Sequence, residues 1–363
     1  MIVWCGVATV LLAFAISALA TPVTQRLAER IGMLDVPQRH KAHAHPVPLL
    51  GGCAVFAAIL LPSVLALALA RLWSAGGAPS WLPSQLAIHI GGASAKAHQA
   101  LGILAGAMVL HVIGLIDDRR NLGAWLKLVS ELVVCGAVVI FFHVRVLTAA
   151  GPTLSVIASI FWLTAITNAF NFLDNLDGLS AGVAAICAAA LLGAAASIGQ
   201  VFVAAWLCLI LGAVLGFLPY NFPPARTFLG DAGALVIGYL LAVVSCLTTY
   251  VQPGQPYYLY GIFVPLVLMA VPLYDMASVI LLRIIERRNP MVGDRRHFSH
   301  RLVRRGMKPR SAVLTIYFCT AGTAISASLL PHVTGTAGAV LVFLQTLITL
   351  LIVALLEGGD ARP

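Results

Sequence analysis

The run Thr167-Asn168-Ala169-Phe170-Asn171-Phe172-Leu173-Asp174-Asn175-Leu176-Asp177-Gly178 places two amides and two carboxylates at every third position: Asn168, Asn171, Asp174 and Asp177. On a helix this spacing keeps successive members within reach of one another over two turns. Carboxylate and amide oxygens suit a hard cation such as Mg2+, with phosphate oxygens and water completing its shell. Asn175 and Gly178 predict a helix break at a cavity. A polar helix end with Asx turns is the bland alternative. Four such side chains between two apolar runs argue against it.

Four other stretches carry candidate chemistry. Asp117 and Asp118 close an apolar helix just before Arg119 and Arg120. Ionisable groups at that depth are costly and point to function, although pairing with the two arginines is an ordinary helix-end arrangement. In Phe228-Leu229-Gly230-Asp231-Ala232-Gly233 one acid flanked by glycines opens an apolar helix, either as a simple cap or as a metal ligand on a tight turn. Lys41 and His43 lie in a proline-flanked basic loop that reads as a phosphate-facing strand or as ordinary topology charge. Asp294, His297 and His300 again step by three, followed by Arg301. Without a third strong ligand or an HExxH pattern, phosphate or sugar contact fits that loop better than zinc. Glu131 and Asp275 sit inside apolar runs and read equally as structural or site residues; His111 and His143 read as packing residues.

The elements that must position these groups are membrane helices. Of 363 residues, 60% are hydrophobic and 10% charged, against about 45–50% and 25% in soluble domains. This excludes a soluble enzyme, a disordered chain and a disulfide-stapled module. Apolar runs near 2–20, 49–70, 99–116, 126–147, 154–172, 181–198, 201–218, 233–250, 259–282, 311–330 and 335–356 predict eleven spans in an all-α bundle. The first run carries Ala18-Leu19-Ala20, which resembles a cleavage site, but it lacks a basic leader and is expected to be a span. The seven cysteines all fall in apolar runs and read as packing residues.

Alternating loops then divide the 22 Lys and Arg unequally, with only Arg71, Lys96 and Arg145 on one side. The positive-inside rule makes the rich side cytoplasmic, with the N-terminus outside and the C-terminus inside. Lys127 is assigned to that side as a topology charge. All thirteen acids lie on the basic side or within spans, so the chemistry should face the cytoplasm. The net charge of +9 is then attributed to loops facing anionic lipid, with no nucleic acid as partner. The external stretch 71–98, with Trp73 and Trp81, reads as an interfacial segment. One transmembrane catalytic domain over 1–363 is expected, with active-site loops near 21–48, 117–125, 168–180, 219–232 and 283–310.

Five motifs occur in order: Lys41-x-His43-x-x-Pro46-x-Pro48-x-x-Gly51-Gly52, Asp117-Asp118, the Asn-x-x-Asn-x-x-Asp-x-x-Asp-Gly run, Phe-Leu-Gly-Asp-x-Gly and Asp294-x-x-His297-x-x-His300. Over roughly residues 25–310 the chain resembles the polyprenyl-phosphate sugar-1-phosphate transferases, in particular the bacterial undecaprenyl-phosphate N-acetylglucosamine-1-phosphate transferases. Two positions depart from the usual pattern: Ser299 replaces a histidine, and Ala234 replaces a serine. The run of three histidines usual in the related phospho-N-acetylmuramoyl-pentapeptide transferases is absent, which favours the N-acetylhexosamine branch.

The resemblance implies a Mg2+-dependent exchange (with Mn2+ as a substitute) at the bacterial inner membrane. A UDP-sugar and undecaprenyl phosphate would give undecaprenyl-diphospho-sugar and UMP, an early step of cell-envelope polysaccharide assembly. It implies that Asp231 and Asn171 bind the metal and that Asp117 acts as base or positions the lipid phosphate, with Asp118 beside it. Asp174 and Asp177 would hold nucleotide or metal-bound water. Lys41, His43, Asn168, His297, His300 and Arg301 would bind substrate. A covalent intermediate on Asp117 is the competing mechanism. The oligomeric state stays open, a homodimer included. A secondary transporter would place its polar residues near the midplane in paired half-repeats. Here they gather at helix ends, and no repeat is visible.

Overall fold

The computed structural model describes residues 2–36, 46–250, 259–287, 296–333 and 335–358. Fourteen α-helices account for nearly all of them. They are α1 Ile2–Ile31, α2 Gly51–Gly76, α3 Ser84–Ala95, α4 Ala97–Arg120, α5 Ala124–Phe141, α6 Pro152–Leu173, α7 Leu179–Ser197, α8 Val201–Asn221, α9 Gly230–Leu247, α10 Val264–Leu268, α11 Ala270–Ile285, α12 Phe298–Arg304, α13 Pro309–Leu329 and α14 Thr336–Gly358. A two-stranded antiparallel sheet, β1 Leu34–Asp35 and β2 Val47–Pro48, pairs Leu34 with Pro48 and Asp35 with Val47.

Ten helices are long and apolar enough to cross a membrane, or eleven if the bent pair Tyr260–Leu268 and Ala270–Ile285 is one span. The expectation of an all-α, multi-pass membrane protein therefore holds. The bend of 64° between the members of that pair differs from the straight span expected over 259–282. Pro272 has no N–H to offer the carbonyl of Leu268 one turn earlier, so the helix breaks there. The thiol of Cys187 approaches the freed carbonyl at 4.0 Å.

The bundle is built around α9. In its most apolar stretch 83% of the residues are buried, against 11% in α1 and 22% in α14. Helices α2, α4, α6 and α7 pack around it, while Val3, Leu11 and Leu19 of α1 and Leu355 of α14 are exposed, as lipid-facing side chains should be. Without a hydrophobic drive between helices in lipid, small residues set close packing. Gly212 and Gly216, four apart on α8, lie where any Cβ would strike the Val10 and Phe14 carbonyls of α1.

Several helix ends differ from the expected spans. Asn168 and Asn171 belong to α6, so the proposed loop 168–180 shrinks to the turn after Leu173. His143 is exposed beyond the end of α5 and is not a packing residue. His111 is buried as expected, with Nδ1 3.0 Å from the Ala232 carbonyl. All seven cysteines are free thiols. The stretch read as interfacial contains α3, and Trp73 meets Trp81 edge to face with ring centroids 5.8 Å apart.

Candidate active site

The site is assembled at one end of the bundle around the first turn of α9. Gly230 precedes Asp231 with φ +68°, a left-handed backbone that a side chain would strain. It lies so close to Asp118 that an added Cβ would meet Oδ2 at 2.6 Å. Asp118 accepts hydrogen bonds from the backbone N–H groups of Asp231 at 2.9 Å and Ala232 at 3.2 Å. A carboxylate on exposed amides at a helix N-terminus is favourable both as a cap and against the helix dipole. The second aspartate of the pair on α4 thus caps the α9 terminus, beside Asp117 as expected.

Asp117 faces the other way. Its Oδ2 pairs with Lys127 Nζ at 2.9 Å, and its Oδ1 accepts from the Leu122 amide. The same ammonium also pairs with Asp231 Oδ2, so Lys127 bridges two carboxylates brought together by α4, α5 and α9. Asp231 Oδ1 accepts from Asn171 Nδ2 at 2.8 Å. One turn earlier on α6, Asn168 donates to Glu131 and to the Thr164 carbonyl. Glu131 is fully buried, and its Oε1 has no hydrogen-bond partner. The structure therefore joins Asn171 to Asp231 directly and Asp117 to Asp231 through Lys127, while Asn168 is bonded to Glu131 and not to these three.

The turn between α6 and α7 adds the remaining acids. Asn221 ties it to the loop after α8: its Oδ1 accepts from Gly178 N at 3.0 Å, and its Nδ2 donates to the Thr227 carbonyl at 2.9 Å. Asp177 Oδ2 accepts from Ala225 N at 2.9 Å. Asp174 lies beneath the cluster. Desolvation, reinforced by the Asp231, Asp118 and Asp177 carboxylates, pushes its carboxyl well above the usual range. The loop that delivers Asp231 is pinned from the opposite side. Phe228 N donates to the Pro48 carbonyl at 2.8 Å, and Gly52 N donates to the Leu229 carbonyl at 2.9 Å.

The histidine segment divides. His300 borders the acidic cavity. His297 is buried, with Nδ1 2.8 Å from Asp275 Oδ2, and sets its ring edge to face against Phe172. Arg301 turns away from the cavity to Ser278 Oγ at 2.8 Å and Glu357 Oε2 at 2.9 Å. Its guanidinium is thus held by a carboxylate of α14, and Arg301 is not among the residues lining the cavity. Ser299, at the position of the usual histidine, donates to Asn175 Oδ1. Lys41, His43 and Asp294 lie outside the described residues.

A cavity of about 1130 Å³ unites these elements. Asp117, Asp118, Asp174, Asp177 and Asp231 line it together with His300, Lys308 and Arg310, and Asp35 and Val47 of the small sheet form part of the wall. Among the described residues, no three His, Cys, Asp or Glu side chains form a ready-made metal cage. Mg2+ does not need one, because it takes one or two carboxylates and keeps water and substrate phosphate oxygens. The carboxylate oxygens of Asp117 and Asp231 and the amide oxygen of Asn171 fit that pattern, with the Lys127 ammonium holding the place between the two carboxylates.

Lys127, read in the sequence only as a topology charge, lies between Asp117 and Asp231 in the structure. Its signal was an opposite charge four residues on, Glu131, within one apolar segment. Asp275, which sequence left open, is a partner of His297.

Comparison with known proteins agrees with this arrangement. The sequence profile of glycosyl transferase family 4 matches residues 100–249, which contain the clustered acids of α4, α6, α9 and their turns. The chain is 30% identical over 337 residues to the "Probable undecaprenyl-phosphate N-acetylglucosaminyl 1-phosphate transferase" of Bacillus subtilis (strain 168), covering 90% of this chain and 86% of the relative. It is 31% identical to the decaprenyl-phosphate N-acetylglucosaminephosphotransferase of Mycobacterium tuberculosis (strain H37Rv), covering 85% and 78%. To the undecaprenyl-phosphate alpha-N-acetylglucosaminyl 1-phosphate transferase of Escherichia coli (strain K12) it is 26% identical, covering 82% and 76%. With its acids gathered where that profile matches, and with such relatives along most of its length, this chain belongs to glycosyl transferase family 4.

Proposed function

We propose that this protein transfers N-acetylglucosamine 1-phosphate from UDP-N-acetylglucosamine to a polyprenyl phosphate such as undecaprenyl phosphate, releasing UMP. A lipid phosphate oxygen attacks the sugar-bearing phosphorus, and the bond between the two phosphates of the UDP-sugar breaks. The observation that carries this reading is the meeting of Asp117, Lys127, Asn171 and Asp231 at one end of the membrane helices. There a lipid headgroup and a soluble nucleotide can reach one cavity. Phosphoryl transfer asks a protein mainly for positioning and charge stabilisation.

Each residue has a part. Asp231 and Asn171 would hold Mg2+, which supplies neutralising charge to the diphosphate and to the departing UMP. Lys127 adds a fixed positive charge between the two carboxylates. Asp117, held by an ammonium and a backbone amide, suits orientation of the lipid phosphate better than nucleophilic attack. Asp118 keeps the α9 terminus in place. His300, Lys308 and Arg310, which line the same cavity, would supply donors for the nucleotide-sugar. The unequal distribution of Lys and Arg supports a cytoplasmic active site in the bacterial inner membrane.

Purified protein with undecaprenyl phosphate, Mg2+ and a panel of UDP-sugars should release UMP with UDP-N-acetylglucosamine. Absence of UMP with every sugar refutes the transferase. Release only with UDP-N-acetylmuramoyl-pentapeptide moves the protein to peptidoglycan synthesis.

A further inference from the structure

Helix α12 has seven residues. A helix this short is not stable alone, so tertiary contacts must set its position. Two buried carboxylates from different membrane helices provide them. Asp275 of α11 is fully buried and uses both oxygens on the start of α12, with Oδ2 2.8 Å from His297 Nδ1 and Oδ1 accepting from Phe298 N at 2.8 Å. Glu357 of α14 takes the next turn, pairing with Arg301 at 2.9 Å and accepting from Tyr274 OH at 2.5 Å. Beside it, Arg305 Nη1 donates to the Leu356 carbonyl at 2.6 Å.

His297 and Arg301, four residues apart, lie along one side of the helix and are both drawn onto these carboxylates. Between them, Ser299 donates to Asn175, and His300 borders the cavity. The chain then turns into α13, where Lys308 and Arg310 also line the cavity. The position of α12 therefore sets where these basic residues stand in the cavity that holds the acidic cluster.

We infer that Asp275 and Glu357 are positioning residues of this site, acting through His297 and Arg301 to hold α12 so that Ser299 reaches Asn175 and His300 borders the acidic cavity. A buried carboxylate is costly unless its oxygens are used, and here they are used on a short helix that needs an anchor. The kinetic part of this inference rests on the function proposed above.

The test uses full-length protein in detergent micelles with Asp275→Asn and, separately, Glu357→Gln. In Asp275→Asn the new amide would still accept from Phe298 N but would present a donor to His297 Nδ1. In Glu357→Gln the new amide would still accept from Tyr274 but would lose the ion pair with Arg301. Hydrogen exchange of the α12 amides should accelerate about tenfold, the scale of one lost buried charged hydrogen bond, while the other helices stay protected. KM for UDP-N-acetylglucosamine should rise several-fold, with KM for the polyprenyl phosphate unchanged. A folded variant with unchanged α12 exchange and unchanged nucleotide-sugar KM overturns the role of that residue. So does loss of protection throughout the bundle, which would assign it to folding. If the unaltered protein releases no UMP from any UDP-sugar, the proposed function fails and the exchange measurement alone decides the positioning.

Discussion

Lys127 and Asp231 are 104 residues apart in the chain and pair at the centre of the site, with the same ammonium also on Asp117. One cation thus serves two carboxylates from two other helices. In a cavity lined by six aspartates, Asp35 included, this bridge keeps α4, α5 and α9 together at the end where like charges would force them apart.

Replacing Lys127 by Met should leave Asp117 and Asp231 facing each other without compensation. Stability should fall by on the order of 3 kcal/mol, as for other half-broken buried pairs. Thermal melting in detergent checks this. Adding Asp231→Asn to the same chain should recover much of the loss while activity stays low, because the remaining acid then faces a neutral amide.

Asp231→Ala should cut UMP release by about 100- to 1,000-fold, the range seen when a group that stabilises transition-state charge is removed. The residual rate should no longer respond to added Mg2+. Near-normal turnover with an ordinary Mg2+ titration would refute its assigned role.

Asp174→Asn should stabilise the protein while impairing it. The Asp174 carboxyl is raised well above the usual range in the fold, so its ionised form is disfavoured there relative to the unfolded chain. Its contribution is most favourable at acid pH and is lost as pH rises from the unfolded pKa towards the folded one. The amide removes that loss. A melting temperature about 2 °C or more above the parent at neutral pH, shrinking towards pH 4, is the expected result.

Gly230→Ala should destabilise by about 1–2 kcal/mol from the left-handed backbone alone. Its Cβ would also push on Asp118 Oδ2 and loosen the α9 cap, so activity should fall further than stability does. Equal melting and equal turnover would contradict the need for glycine there.

Much of this was legible in the sequence for physical reasons. Apolar runs had to become helices, because lipid leaves the backbone no other partner. The acids at helix ends pointed to a site, because carboxylates at that depth need cations or hydrogen-bond donors as partners. What could not be read was partnership. Lys127 near the start of α5 looks in one dimension like any other topology charge, and only the folded bundle puts it between Asp117 and Asp231. Asp118 and Asp117 are adjacent and chemically identical, yet helical rotation sends one to backbone amides and the other to an ammonium. The pairing of Arg301 with Glu357, 56 positions on and in another helix, was likewise invisible in one dimension. The break before α11 depended on a single missing N–H at Pro272.

The burial of α9 has a consequence for the host membrane. Helices at the bilayer boundary tilt or stretch when acyl chains shorten or lengthen, and α1 and α14 lie there. α9 is screened from lipid by its neighbours, so Asp231 at its tip should keep its depth when bilayer thickness changes. Changes in bilayer thickness should then act on the cluster through α5, whose most apolar stretch is only 28% buried and which carries Lys127, rather than through α9.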